Sequence, residues 1–166
     1  MRHTLYWILM NEEFGEARAA SLHTDLTLSS LGSRTAAQAF EAGVEPRDIV
    51  KTLVVRRGEG DFLFVLVPGD REISWPRLRA LLGVNRLSMP DKGVAKDVTG
   101  YERGTITPFG ATTAWPVVAD ASLAGDPERR ISMGAGAHGV AVTVPAEETL
   151  ARLDAQVADV TELHAP

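Results

Sequence analysis

Lys51 is the side chain whose setting says most about chemistry. It lies within Ile49-Val50-Lys51-Thr52-Leu53-Val54-Val55, an apolar run in which no face is plainly open to solvent. Desolvating an ammonium is costly, so lysine is rarely buried without a partner. Two readings stay open. The side chain snorkels outward from a strand edge, or it aims a cation into a pocket, where it can bind a phosphate or polarise a carbonyl.

Two glycine-rich stretches are the next chemistry-bearing features. Thr99-Gly100-Tyr101-Glu102-Arg103-Gly104-Thr105-Ile106-Thr107-Pro108-Phe109-Gly110 places three glycines and a proline in twelve residues. Such a segment is either a long connection or a shaped wall that exposes backbone to a ligand. Gly134-Ala135-Gly136-Ala137-His138-Gly139 fits the GxGxxG pattern of dinucleotide sites. That chemistry needs a helix N-terminus directly after the glycines to receive a pyrophosphate. The chain continues instead with Val140-Ala141-Val142-Thr143-Val144, a strand by composition, so a nicotinamide or flavin oxidoreductase is a poor reading. A glycine hairpin loop fits better, and glycines let backbone N–H groups approach a ligand closely.

Other chemistries lack their residues. The histidines, His3, His23, His138 and His164, are widely spaced, with no HExxH, so no metal site is expected. GxSxG and GxxxxGK[ST] are absent, removing the serine-hydrolase elbow and the phosphate loop. There is no cysteine, which excludes thiolate nucleophiles and disulfides and fits a reducing cytosol. A formal charge of −5 argues against a protein that grips long nucleic acid or DNA through an overall basic surface. The stretch from Arg47 to Arg103 nevertheless carries 11 basic and 8 acidic residues, against 6 and 14 elsewhere. A mildly cationic centre suits a short run of phosphates, and equally a mixed solvated surface. Leu5 to Met10 is apolar but far below the roughly 20 residues that span a bilayer, so no membrane partner is expected.

The elements that must position these residues read as α+β, without a regular βαβ rhythm. Helices are expected over 12–22, over 35–42 after an N-cap at Ser33, over 75–82, over 91–98 and over 145–153. Strands are expected near 26–29, over 49–57 and 61–67, near 86–88, and over 117–119, 130–133, 140–144 and 158–160. Gly58-Glu59-Gly60 marks a hairpin between the two long strands, the second of which is apolar at both parities and so covered on both faces. Asp120 is expected to cap the turn after its strand. The 166 residues suffice for one domain with a real core, and no linker or repeat divides them.

Several of these motifs recur together in one known family. Arg34-Thr35-Ala36, Gly43-Val44, Ile49-Val50-Lys51-Thr52-Leu53-Val54, Val67-Pro68-Gly69-Asp70, Thr99-Gly100-Tyr101, Gly104 to Gly110 and Gly134-Ala135-Gly136 stand in the same order. Over about 34–160 the chain resembles the YbaK / prolyl-tRNA-synthetase-associated family. The resemblance implies residues 1–166 as one α+β domain around a mixed, barrel-like sheet, with aminoacyl-tRNA editing as its activity. It implies a free-standing deacylase that hydrolyses the ester of a mischarged tRNA, with tRNA(Pro) carrying Ala or Cys as the usual target. A non-catalytic module that binds tRNA ends or a synthetase is the alternative.

The resemblance assigns Lys51 as the catalytic residue, orienting the adenosine phosphate or the aminoacyl carbonyl. It assigns Thr52, Gly104, Thr105, Pro108, Phe109, Gly110, Gly134, Ala135 and Gly136 to substrate binding. Gly104 to Gly110 form one wall, the 134–136 turn lies opposite, and backbone amides near Gly104 and Gly136 are donors. No cofactor or metal is implied. The partners implied are a tRNA acceptor end and, in some members, a synthetase, in the cytoplasm. The region before Arg34 matches poorly, His23 is expected outside the site, and His138 reads as a loop histidine or a substrate contact.

Overall fold

The computed structural model describes residues 27–29, 45–138 and 141–165. The expected helices over 12–22 and 35–42, the Ser33 cap and His23 lie outside the described residues. Nine strands are described: β1 (Thr27–Ser29), β2 (Ile49–Gly58), β3 (Asp61–Pro68), β4 (Arg71–Ile73), β5 (Val117–Asp120), β6 (Arg130–Gly134), β7 (Ala141–Pro145), β8 (Gln156–Ala158) and β9 (Thr161–Leu163). The α-helices among the described residues are α1 (Trp75–Leu82), α2 (Lys92–Thr99) and α3 (Ala146–Arg152). None is long and apolar enough to cross a membrane.

Seven strands form one mixed sheet in the order β1-β7-β6-β2-β3-β5-β8, and β4 pairs with β9 beside it. β2 and β3 are the expected antiparallel hairpin, with a register shift between Arg56 and Gly58 near its tip. β6 lies parallel to β2, and β5 lies parallel to both β3 and β8. This is the α+β architecture with a mixed sheet that the sequence implied.

Side chains alternate across a strand, so each long strand serves two cores. Val50, Val54, Phe64, Leu66, Ile131, Met133 and Val142 pack on one face, with Ala95 of α2 and Leu150 of α3. Val55, Leu63, Val65 and Val67 pack on the other, with Ile73 of β4, Leu78 of α1 and Val160. β3 is buried from Phe62 to Pro68, as its double-parity apolar pattern required.

Local chemistry sets the helix ends. Asp91 Oδ1 accepts from the Gly93 and Val94 amides to open α2, and Gly100 closes it in the left-handed region. At α1 Ser74 stands at the N-cap position but makes no side-chain cap bond, and the early Pro76 suits that first turn. The strand expected over 86–88 is a single bridge between Ser88 and Arg56. The strand expected over 158–160 is replaced by β8 and β9 on either side of Asp159 and Val160. The Val160 amide is drawn instead to Asp120 Oδ1 at 3.2 Å, which breaks the ladder there.

Candidate active site

Lys51 sits near the start of β2, directly across from Val67 of β3, on the face of the second core. On its other side, the parallel register aligns Ile49 with Ser132 and Val50 with Met133. Val50 and Met133 share the first core. The next residues along, Lys51 and Gly134, therefore come level with each other on the opposite face. Here the apolar second core gives way to a strip of small and polar residues, Ser132 and Gly134 of β6 and Ala141 and Thr143 of β7.

The Lys51 ammonium is half-buried and donates to the Arg71 carbonyl at 2.7 Å. Burial pulls its pKa below the usual lysine value, and the nearby charges of Glu72 and Asp70 partly restore it. One of three N–H donors is spent on Arg71, leaving two for a ligand. Thr52, one residue on, faces the first core with Val50 and Val54, so it does not share a wall with Lys51. Its Oγ1 is buried with no hydrogen-bond partner.

The two glycine segments touch each other rather than facing across a gap. The Gly136 amide donates to the Thr105 carbonyl at 3.0 Å. A Cβ on Gly134 would lie 3.0 Å from the Ile106 carbonyl oxygen and 3.3 Å from that of Thr105. One on Gly136, at φ +88°, would lie 2.7 Å from the Tyr101 ring. Glycine is needed at both positions so that the segments can close together. The expectation that the Gly136 amide serves as a donor to substrate is thereby corrected, because that N–H is committed to Thr105. Gly104 is exposed, at φ +92°, with nothing within 4 Å of where a Cβ would sit.

Within the 101–110 loop, the Tyr101 hydroxyl donates to the Phe109 carbonyl at 2.7 Å, and burial raises the phenol's pKa. Thr105 Oγ1 donates to the Glu102 carbonyl. Phe109 and Ala135 carry their side chains into the first core, so contact with a ligand at these positions falls to the backbone. Pro108 and Phe109 border a cavity of about 560 Å³ with Trp115, Val118, Arg152 and Leu153, and Lys51 has no part in it. Size alone does not make that cavity the site, because the cation and the glycine contact both lie elsewhere. Among the described residues no group of three or more His, Asp or Glu side chains could hold a metal.

Sequence reasoning underread two groups. His138 Nε2 lies 3.1 Å from Glu102 Oε2, and Lys96 Nζ donates to Glu102 Oε1 at 3.0 Å. Hydrogen bonds from Lys96 and then His138 lower the Glu102 pKa. This exposed chain joins α2, the loop and the glycine turn. Asp70, named above only as the end of the Val67-Pro68-Gly69-Asp70 motif, keeps Oδ1 buried without a hydrogen-bond partner. Its burial is set by the fold, so no signal in the sequence marks it.

A family model described as an aminoacyl-tRNA editing domain matches residues 32–151. Another, described as a protein of unknown function (DUF3046), matches residues 1–55. The proline–tRNA ligase of Thermosipho africanus (strain TCF52B) is 39% identical over 79 residues, 47% of this chain and 14% of the ligase. That of Citrifermentans bemidjiense is 36% identical over 83 residues, 50% of this chain and 14% of the ligase. The matched stretch thus spans about one-seventh of these ligases. Among solved structures, hypothetical protein APE2540 matches with a TM-score of 0.75 at 27% identity, covering 85% of this chain and 93% of that one. A protein described as a candidate trans-editing enzyme for prolyl tRNA synthetase matches with a TM-score of 0.74 at 31% identity, covering 82% and 87%.

Proposed function

The chain belongs to the aminoacyl-tRNA editing domain family, and on that premise we propose that it is a deacylase that cleaves a wrong amino acid from a tRNA. Its substrate is a mischarged tRNA acceptor end, with tRNA(Pro) bearing Ala or Cys as the class to test first. The ligases it resembles act on proline, and one structural relative is described as a candidate trans-editing enzyme for prolyl tRNA synthetase. It acts free-standing in the cytoplasm, with a synthetase as a further partner, and neither DNA nor a membrane enters the reaction.

The observation that carries this reading is a half-buried ammonium held by Arg71 on a face where β6 narrows to Gly134. An aminoacyl ester is already activated, so the protein needs placement and charge more than a strong nucleophile. Water, oriented by the neighbouring hydroxyl of the substrate's own ribose, attacks the carbonyl carbon. The bond from that carbon to the ribose oxygen then breaks, the amino acid leaves as the free acid and the ribose oxygen takes the proton. The developing oxyanion or the adjoining phosphate takes the two remaining Lys51 N–H donors, and the Gly104 amide is a neutral donor. Thr105, Gly134 and Gly136 form the wall that fixes where the ester rests, and Pro108 and Gly110 continue it.

A panel of mischarged tRNAs, run with wild type and Lys51→Ala, tests this. Turnover of at least one pair, reduced by roughly 100-fold or more by the substitution, is the expected result. Tight binding without turnover of any pair would establish the non-catalytic module instead.

A further inference from the structure

The cavity of about 560 Å³ bordered by Pro108 and Phe109 lies outside the Lys51 site, but one loop joins the two. Thr105 and Ile106 present their carbonyls to Gly134, which is level with Lys51, and Pro108 follows Ile106 by two residues. From Thr105 to Pro108 the chain spans at most roughly 10 Å. A ligand that passes the loop on the Lys51 side therefore has the cavity within short reach.

Its lining suits a flat ring with polar edges. Phe109 and Val118, both buried, close the floor. Trp115 is a fixed aromatic wall: its Nε1 donates to the Val98 carbonyl at 2.7 Å, and its ring centroid lies 5.3 Å from that of Phe62. At the rim, Arg57 donates from Nε and a terminal nitrogen to the two oxygens of Asp61, at 2.8 and 3.0 Å. That fork holds the guanidinium plane steady and leaves its faces, the surfaces on which nucleobases stack. Asp154 and Gln156 stand at the same rim, both exposed. Among the described residues neither side chain has a hydrogen-bond partner, so both are open to a ligand.

Asp154 carries a second signal. At φ +49° it is the one non-glycine in the left-handed region among the described residues. It closes the turn after α3, with its amide on the Ala151 carbonyl, a place where glycine is the default. An aspartate there brings a carboxylate to the cavity at a cost in backbone conformation, and such a cost points to use of the side chain.

A tRNA carries two unpaired cytidines directly before the adenosine that bears the amino acid. Cytosine offers a π face, an N4 amine that donates, and N3 and O2 that accept. The Asp154 carboxylate complements the amine, and the Gln156 amide donates to N3 or O2. Arg57 and Arg152, two guanidiniums to one carboxylate, favour the flanking phosphates. We propose that this cavity is a second substrate subsite, which takes the base of one of these cytidines while Lys51 holds the acylated end. The inference rests on the deacylase reading for the identity of the ligand. It goes beyond that reading by adding a base-reading contact away from the ester.

The test uses binding, so that it does not depend on turnover. The probes are CCA trinucleotides ending in 3′-alanylamido-3′-deoxyadenosine, which cannot be hydrolysed, and versions with uridine or an abasic ribose in place of either cytidine. Calorimetry on the full chain should show one position at which the abasic probe binds about 10- to 100-fold more weakly, and the uridine probe about 10-fold. Asp154→Gly relieves the left-handed backbone, so its thermal midpoint should be no lower, yet the cytidine-to-uridine ratio should fall close to one. Lys51→Ala should weaken every probe and leave that ratio unchanged. Equal binding of the cytidine and uridine probes at both positions overturns the inference. So does an Asp154→Gly protein that keeps the ratio, or a Lys51→Ala protein that loses it. Cytidine-dependent binding with no turnover of any mischarged tRNA would sink the deacylase reading alone. Turnover with binding indifferent to both bases would sink this one alone.

Discussion

The Gly136 amide and the Thr105 carbonyl, 3.0 Å apart, join two segments that the chain separates by about thirty residues. Their bond seats the 101–110 loop on the end of β6, beside the level at which Lys51 leaves β2. The loop's conformation and the cation's surroundings therefore depend on the same close approach.

That closeness makes Gly136 a sensitive glycine to test. Gly136→Ala combines a left-handed backbone with a Cβ 2.7 Å from the Tyr101 ring, and should cost about 2–3 kcal/mol of stability. Gly60→Ala, at φ +64° with nothing within 4 Å, should cost only about 1 kcal/mol. Urea unfolding of the two variants gives the comparison, and equal losses would refute the packing argument.

Lys51 should trade stability for activity. Its folded pKa lies below the ordinary lysine value, chiefly because of burial, so at neutral pH the charged amine is a net burden on the fold. The burden is complete below the folded pKa and is relieved as pH rises from there toward 10.5. Lys51→Met should abolish deacylation yet raise the thermal midpoint at pH 7 by about 2–4 °C at most. A lower midpoint would mean that the Arg71 contact outweighs the cost of burial.

Asp120 should govern acid stability. Burial works to raise its pKa, but hydrogen bonds from Ser122 and Thr161, with the Ser122 and Val160 amides, prevail and hold it below the usual carboxylate value. Its stabilisation is present above the ordinary pKa of 3.8 and is lost as pH falls through the lower folded value. Asp120→Ala should cost about 3–5 kcal/mol by leaving Arg71 and the Val160 amide without their partner. It should also flatten the acid limb of a stability–pH curve recorded by chemical denaturation.

Contact with tRNA should be confined to the acceptor end, given the acidic overall charge. With about two or three phosphates neutralised, affinity for uncharged tRNA should fall roughly tenfold between about 50 and 200 mM salt. Fluorescence anisotropy reads this directly. A drop of several thousandfold would require a phosphate footprint far larger than the one proposed.

Much of the fold was legible because its strongest signals are local. Apolar residues at both parities of 62–67 announced a strand buried on both faces, and Gly58-Glu59-Gly60 announced the hairpin before it. The misreading at 158–160 arose where a distant side chain, Asp120, drew off the Val160 amide, while of the strand expected over 86–88 only the Ser88 bridge to Arg56 forms. In the site, Lys51 was legible as a cation out of place. The fate of the Gly136 amide was not, because it depends on a carbonyl brought close only by the fold. Nor was the vacant oxygen of Asp70, since a Pro-Gly-Asp turn reads the same whether or not its carboxylate is buried.

The insertion of β6 between β2 and β7 has a consequence for how the protein is made. A ribosome adds Gly134 more than eighty residues after Lys51. Until then β2 shows a bare strand margin along its start, carrying the unprotected amine. A nascent chain halted before β6 would thus be both inert and prone to pair with its neighbours.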